Sequence, residues 1–132
     1  MPASFVVDAD RRLVSSRAWG VLVDADLFGT QDGVRAHPSF EPHFSQIYDF
    51  SDVTEMRLTG DAVLNLGRSS PFAVDARRAI IVTSDVAFGM ARMYGLASNR
   101  ASDSFRIFRD HASALSWLGI AQANDDAPDV GL

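Results

Sequence analysis

The residues of this chain with the most chemical potential lie between Ile47 and Leu66. Asp49 closes a short apolar run there, and Arg57, Leu58, Thr59, Gly60 and Asp61 open a helical pattern. A strand feeding the N-terminus of a helix presents unpaired N–H groups and the positive end of the helix dipole. Small α/β domains bind anions or carry regulatory chemistry at such junctions. Thr59 supplies the hydroxyl. As an N-cap its oxygen accepts from backbone N–H groups of the first turn. As a phosphosite it would place a phosphate where the dipole favours it.

Other constellations read more plainly. His37, Glu41 and His43 share one loop but lack the helical i, i+4 spacing of a good metal site. They are expected to be ordinary loop residues, and His111 a surface residue. The pairs Asp8/Asp10 and Asp24/Asp26 read as a turn and a helix N-cap. There is no Gly-x-Ser-x-Gly, no P-loop and no dinucleotide Gly-x-Gly-x-x-Gly. No catalytic residue, metal or cofactor is therefore assigned. With no cysteine, disulfides, thiolate nucleophiles and cysteine-based zinc sites are excluded. The net charge is −5, and the 12 basic residues, all arginine, are dispersed. Both features disfavour nucleic acid and anionic membrane as partners. No signal-peptide pattern is visible, and no apolar run approaches the ~18 residues of a membrane span. A cytoplasmic protein is expected.

Hydrophobic patterning supplies the elements that must position these residues. Ser4–Asp8 and Leu13–Trp19 read as a hairpin that Gly20 terminates. Helical spacing covers Asp24–Ala36 and stops at His37-Pro38. Gln46–Phe50 is a third strand, followed by a polar loop. Thr59 caps a second helix to Arg68, with Val63 and Leu66 facing the core. Arg78–Thr83 is a buried strand, and a third helix runs from Ser84-Asp85 to Ser98. On that helix Val86, Met90, Met93, Tyr94 and Ala97 form one stripe, and Phe88 lies on the opposite side. Asn99–Asp103 is a polar loop, Ser104–Phe108 the last strand, and Asp110 caps a final helix. The domain is expected over 1–121, with an acidic, frayed tail at 122–132. This order implies an α/β fold with a mixed, mainly parallel five-stranded sheet, an N-terminal hairpin and about four helices.

The segment Asp49-Phe50-Ser51-Asp52-Val53-Thr54-Glu55-Met56-Arg57-Leu58-Thr59-Gly60 is similar to the signature of STAS domains, the sulfate-transporter and anti-sigma-factor-antagonist family. Over nearly its whole length the chain resembles the SpoIIAA-like group of small bacterial proteins, with a STAS-like or Sec14-like fold. The matching pieces are Trp19-Gly20, His37-Pro38-Ser39-Phe40, Tyr48-Asp49, Arg77 to Val82, Phe88 to Met93, and Phe108 to Leu118. In anti-sigma antagonists a serine at the position of Leu58 accepts phosphate, preceded by an aspartate where this chain has Arg57. Leucine has no hydroxyl, so that transfer is excluded here.

The resemblance implies a non-enzymatic regulatory or protein-interaction module. Recognition would lie around Asp49, Arg57–Asp61 and Phe88, with an unknown protein partner or a homodimer. The alternative it implies is a carrier or sensor of a small apolar molecule or lipid, with a pocket lined by Leu64, Met90, Met93 and Tyr94.

Overall fold

The protein is described by a computed structural model covering residues 2–98 and 104–120. The expected loop at 99–103 and the tail at 122–132 lie outside the described residues. The elements are β1 (Ala3–Asp8), β2 (Leu13–Val23), α1 (Asp24–Ala36), β3 (Ser45–Arg57), α2 (Gly60–Arg68), β4 (Arg78–Ile81), α3 (Asp85–Ala97), β5 (Phe105–Phe108) and α4 (His111–Leu118). The strands form one five-stranded sheet in the order β1-β2-β3-β4-β5. β1 pairs antiparallel with β2, and the remaining neighbours are parallel.

That order places the helices. A sheet whose parallel strands step steadily in one direction, joined by right-handed crossovers, carries all its crossover helices on one face. Alternation along the strands gives the two faces different jobs. Leu13, Ile47, Ala79 and Ile81 pack against Ala114, Leu115 and Leu118 of α4. The residues one step along, Tyr48, Ile80 and Val82, pack with Ala87 and Ala91 of α3 and Leu27 of α1. β4 is buried along its whole length, as expected of a central parallel strand.

Two strands run further than the sequence suggests. β2 continues through Gly20 to Val23, and β3 continues through the supposed loop to Arg57. Asp49 is therefore mid-strand, although β4 accompanies β3 only as far as the Asp49–Ile81 pair. Beyond it β2 and β3 form a two-stranded ribbon. The register slips between Arg17 and Trp19 and again between Gly20 and Val21, each time with one extra residue on β3. Gly20 serves the second slip with φ of +67°, a conformation glycine adopts without steric cost. The two slips let Phe50, Val53 and Met56, each three residues apart, lean on the same core. That spacing breaks the alternation by which a strand is recognised.

The buried stripe of α3 also differs from expectation. Ala87 and Ala91 face the sheet, while Val86 is 62% exposed. Two alanines allow the helix to lie close to the sheet, which the larger residues of the expected stripe would prevent.

Candidate functional site

α2 is the element that creates a site. It rests on α3 and on α1 rather than directly on the sheet. Gly67 makes this possible. A Cβ there would stand 2.8 Å from the Ala97 Cβ and 2.8 Å from the Tyr94 carbonyl oxygen, so only glycine permits so close an approach of α2 to α3. Both ends of α2 are bonded to α1. At the start, the Asp24 carboxylate accepts from the Thr59 N–H at 2.9 Å and from its hydroxyl at 3.0 Å. At the end, the Gln31 amide donates to the Ser69 carbonyl at 3.3 Å and to its hydroxyl at 3.2 Å, and Arg35 donates to the same carbonyl.

Between this roof and the sheet lies an apolar cavity of about 80 Å³. Its floor is Gln46, Tyr48 and Phe50 of β3 with Arg78 and Ile80 of β4 and Val82 just beyond. α1 contributes Leu27, Thr30 and Val34, α3 contributes Ala87, Met90, Ala91 and Tyr94, and α2 contributes Val63 and Leu66. Met56 and Leu58 close one end, and Pro71 and Phe72 also line it.

The polar groups of this lining are concentrated and buried. Arg78 is 4% exposed and Gln46 3%. Arg78 Nε donates to Gln46 Oε1 at 2.7 Å, and Gln46 Nε2 donates to Ser16 Oγ at 3.1 Å. The guanidinium lies between the rings of Phe72 and Tyr94, 4.7 Å from each centroid. It also donates to the Tyr94 hydroxyl oxygen. The Tyr48 side chain stacks on Phe50 at 4.4 Å. Its hydroxyl is buried and has no hydrogen-bond partner among the described residues. Burial pushes this phenol up to about 12, although the nearby Thr30 hydroxyl and the Arg78 charge favour the anion. Thr30 spends its own proton on the Asp26 carbonyl at 2.8 Å.

The other shifted groups lie on the surface. The Arg11 guanidinium holds the Asp8 carboxyl below its usual range, Arg57 does the same for Glu55, and the Ser113 N–H does so for Asp110. His43 Nε2 lies 3.5 Å from Asp75, and His37 Nδ1 accepts from the Ser39 N–H at 3.1 Å. Among the described residues no group of three His, Asp or Glu side chains is placed to hold a metal ion.

The structure distributes the expected site residues among different roles. Met90 and Tyr94 line the cavity; Leu64 and Met93 do not, and Val63 and Leu66 stand where Leu64 was expected. Met93 instead approaches Gly60, at the start of α2. Leu58 is half-buried in the cavity wall. Arg57 is exposed and paired with Glu55 at 2.6 Å. Thr59 caps α2, accepting from the Ala62 N–H at 3.1 Å. Of the two aspartates expected to cap α1, Asp26 accepts from the Val23 N–H at its start, whereas the Asp24 carboxylate reaches across to α2. Asp61 is exposed in the first turn. Asp49 accepts from the Ser51 N–H at 2.8 Å and from its hydroxyl. Phe88 does not stand alone on an open face: it packs against the core, with the Arg109 guanidinium 5.1 Å above its ring.

Sequence reasoning passed over Gln46, Tyr48 and Arg78 as site residues. The signal was parity: Gln46 and Tyr48 share a face of β3, and Arg78 shares one with Ile80 and Val82.

No protein-family model matches the chain, and no curated protein does. Among solved structures, it is similar to an uncharacterized protein from the DUF3478 family with a SpoIIAA-like fold, from Shewanella loihica PV-4. The TM-score is 0.60 at 19% identity, over 88% of this chain and 93% of that one. The fold is SpoIIAA-like, as the sequence resemblance implied.

Proposed function

We propose that this chain is a cytoplasmic, non-enzymatic binding module that carries or senses a small, mostly apolar molecule beneath α2. The observation that carries the reading is the apolar cavity itself, with a buried hydroxyl at its floor that has no hydrogen-bond partner among the described residues. Ligand sites have this character: apolar walls and a few convergent polar groups. The cavity is well below the ~300 Å³ of sites for drug-sized molecules, so the ligand is small. No helix among the described residues is long and apolar enough to cross a membrane.

A regulatory or protein-interaction role is the second reading. In its favour, Val21 and Val23 are exposed at the end of the β2–β3 ribbon, where Val23 pairs with Arg57. Against it, Leu58 and Phe88 are largely occupied by the core.

Native mass spectrometry of protein purified gently from its own host separates the two. Retention of a small molecule, lost in an Ala91→Leu variant that fills the cavity, supports the first reading. A ligand-free chain that also takes up neither xenon nor short hydrocarbons overturns it. A bound protein with an empty cavity favours the second.

A further inference from the structure

We infer that the cavity selects ligands ending in a hydrogen-bond acceptor, and that the class it fits is a short-chain monocarboxylate bound as the anion. This rests on the cavity reading above and adds the chemistry of its polar end.

The argument is an inventory of protons. Gln46 is used in both directions, its oxygen accepting from Arg78 and its amide donating to Ser16. The Thr30 proton goes to the Asp26 carbonyl. Tyr94 accepts from Arg78 through its oxygen, which leaves its own hydroxyl proton to donate. The Tyr48 hydroxyl lies near that of Thr30 but makes no well-formed hydrogen bond among the described residues, on a side chain 7% exposed. A buried hydroxyl left unsatisfied costs about 1–3 kcal/mol, so an oxygen supplied by a ligand would be favoured there. The polar end thus offers two phenolic donors beside a guanidinium that is always charged. Donors and a fixed positive charge are complementary to a carboxylate and poorly matched to an ammonium or a second donor. The rest of the lining is apolar, which calls for a hydrocarbon tail. The volume calls for a short one, since the cavity holds about half of the ~150 Å³ that admits benzene in an engineered core.

The test is a titration of the whole chain with butyrate, n-butanol and xenon, read by NMR with the tyrosine ζ carbons labelled, on wild type and Tyr48→Phe. The expected result is saturable butyrate binding that shifts the Tyr48 ζ carbon, with butanol about tenfold weaker. Tyr48→Phe is expected to weaken butyrate by about tenfold and leave xenon uptake unchanged. Equal butyrate affinity in wild type and Tyr48→Phe overturns the inference, as does butyrate binding that leaves the Tyr48 ζ carbon unmoved. Xenon uptake without butyrate binding overturns it while sparing the cavity reading. Entry of no probe removes both.

Discussion

The Asp24 carboxylate, at the first residue of α1, holds the first turn of α2 through Thr59, 35 residues away. One oxygen takes the Thr59 N–H and the other its hydroxyl proton, while the hydroxyl oxygen accepts from Ala62. Thr59 is thus both a cap and a tie between two helices. Thr59→Ala is expected to cost about 1 kcal/mol or more, since it removes the cap and one bond to Asp24. Thr59→Ser is expected to keep most of it. A double-mutant cycle with Asp24→Ala, by urea denaturation, should show a coupling of about 0.5–1 kcal/mol. Strict additivity would mean that the two helix starts are not linked through these side chains.

Gly67→Ala tests how α2 is seated. The added methyl meets Ala97 and the Tyr94 carbonyl at 2.8 Å, and backbone cannot give way as a flexible side chain does. The gain in helix propensity, about 1 kcal/mol, competes with an overpacking cost of about 1–3 kcal/mol. The expected net is destabilisation, read as a lower urea midpoint. A midpoint that rises would show that α2 can move off α3 without loss.

Much of this fold was legible because its core signals are local. The apolar run at Arg78–Val82, the caps at Thr59, Ser84 and Asp110, and the His37-Pro38 stop each report on the residue beside them. What stayed hidden depended on partners distant in sequence. The extension of β3 was disguised by two slips against β2, which turned alternation into a spacing of three at Phe50, Val53 and Met56. The role of Asp24 depended on Thr59, and the face of α3 on how close two alanines let it come. The cavity is a property of α2 standing away from the sheet, which no periodicity encodes. Its polar floor was partly readable, since Gln46, Tyr48 and Arg78 follow the parity of buried neighbours.

Tyr48 predicts a specific alkaline weakness. Its pKa is raised from 10.0 to about 12 by burial. The native state therefore holds the phenolic proton where the unfolded chain has lost it. The contribution is fully present below pH ~10 and is lost as pH rises toward ~12, by about 2–3 kcal/mol in all. The chain has no lysine and no cysteine to titrate in that window. Tyr48→Phe is expected to match or exceed wild-type stability at pH 7, because it deletes an unsatisfied buried hydroxyl. Its stability should then fall less between pH 9 and pH 11.5. Parallel stability curves for the two proteins would show that the phenol ionises freely in the fold.

Arg78→Lys keeps the charge and discards the geometry. The guanidinium fills the gap between Phe72 and Tyr94 and reaches Gln46 through Nε. An ammonium has no planar face to stack between two rings and no fork to bond while stacked. A loss of about 2–3 kcal/mol is expected, the scale of hydrogen bonds to a charged group. The measurement is chemical denaturation at neutral pH, with near-ultraviolet circular dichroism reporting the Tyr94 environment. An unchanged stability would show that charge alone matters at this position.

Leu58→Ser asks what became of the position at which the resembled family carries its phosphoacceptor. The side chain is half-buried against the same core cluster as Phe50 and Met56, and it lines the cavity. A serine there would lose most of the apolar burial of leucine, about 1–2 kcal/mol for a partly buried side chain. Its hydroxyl would also have to find a partner in an apolar wall or raise the cost further. The variant is therefore expected to fold with a lower urea midpoint and to show altered xenon uptake, because its wall has changed. If Leu58→Ser were as stable as wild type with the cavity unaffected, the leucine would be a surface residue rather than part of the wall. A destabilised variant with changed uptake would tie this position to the cavity wall.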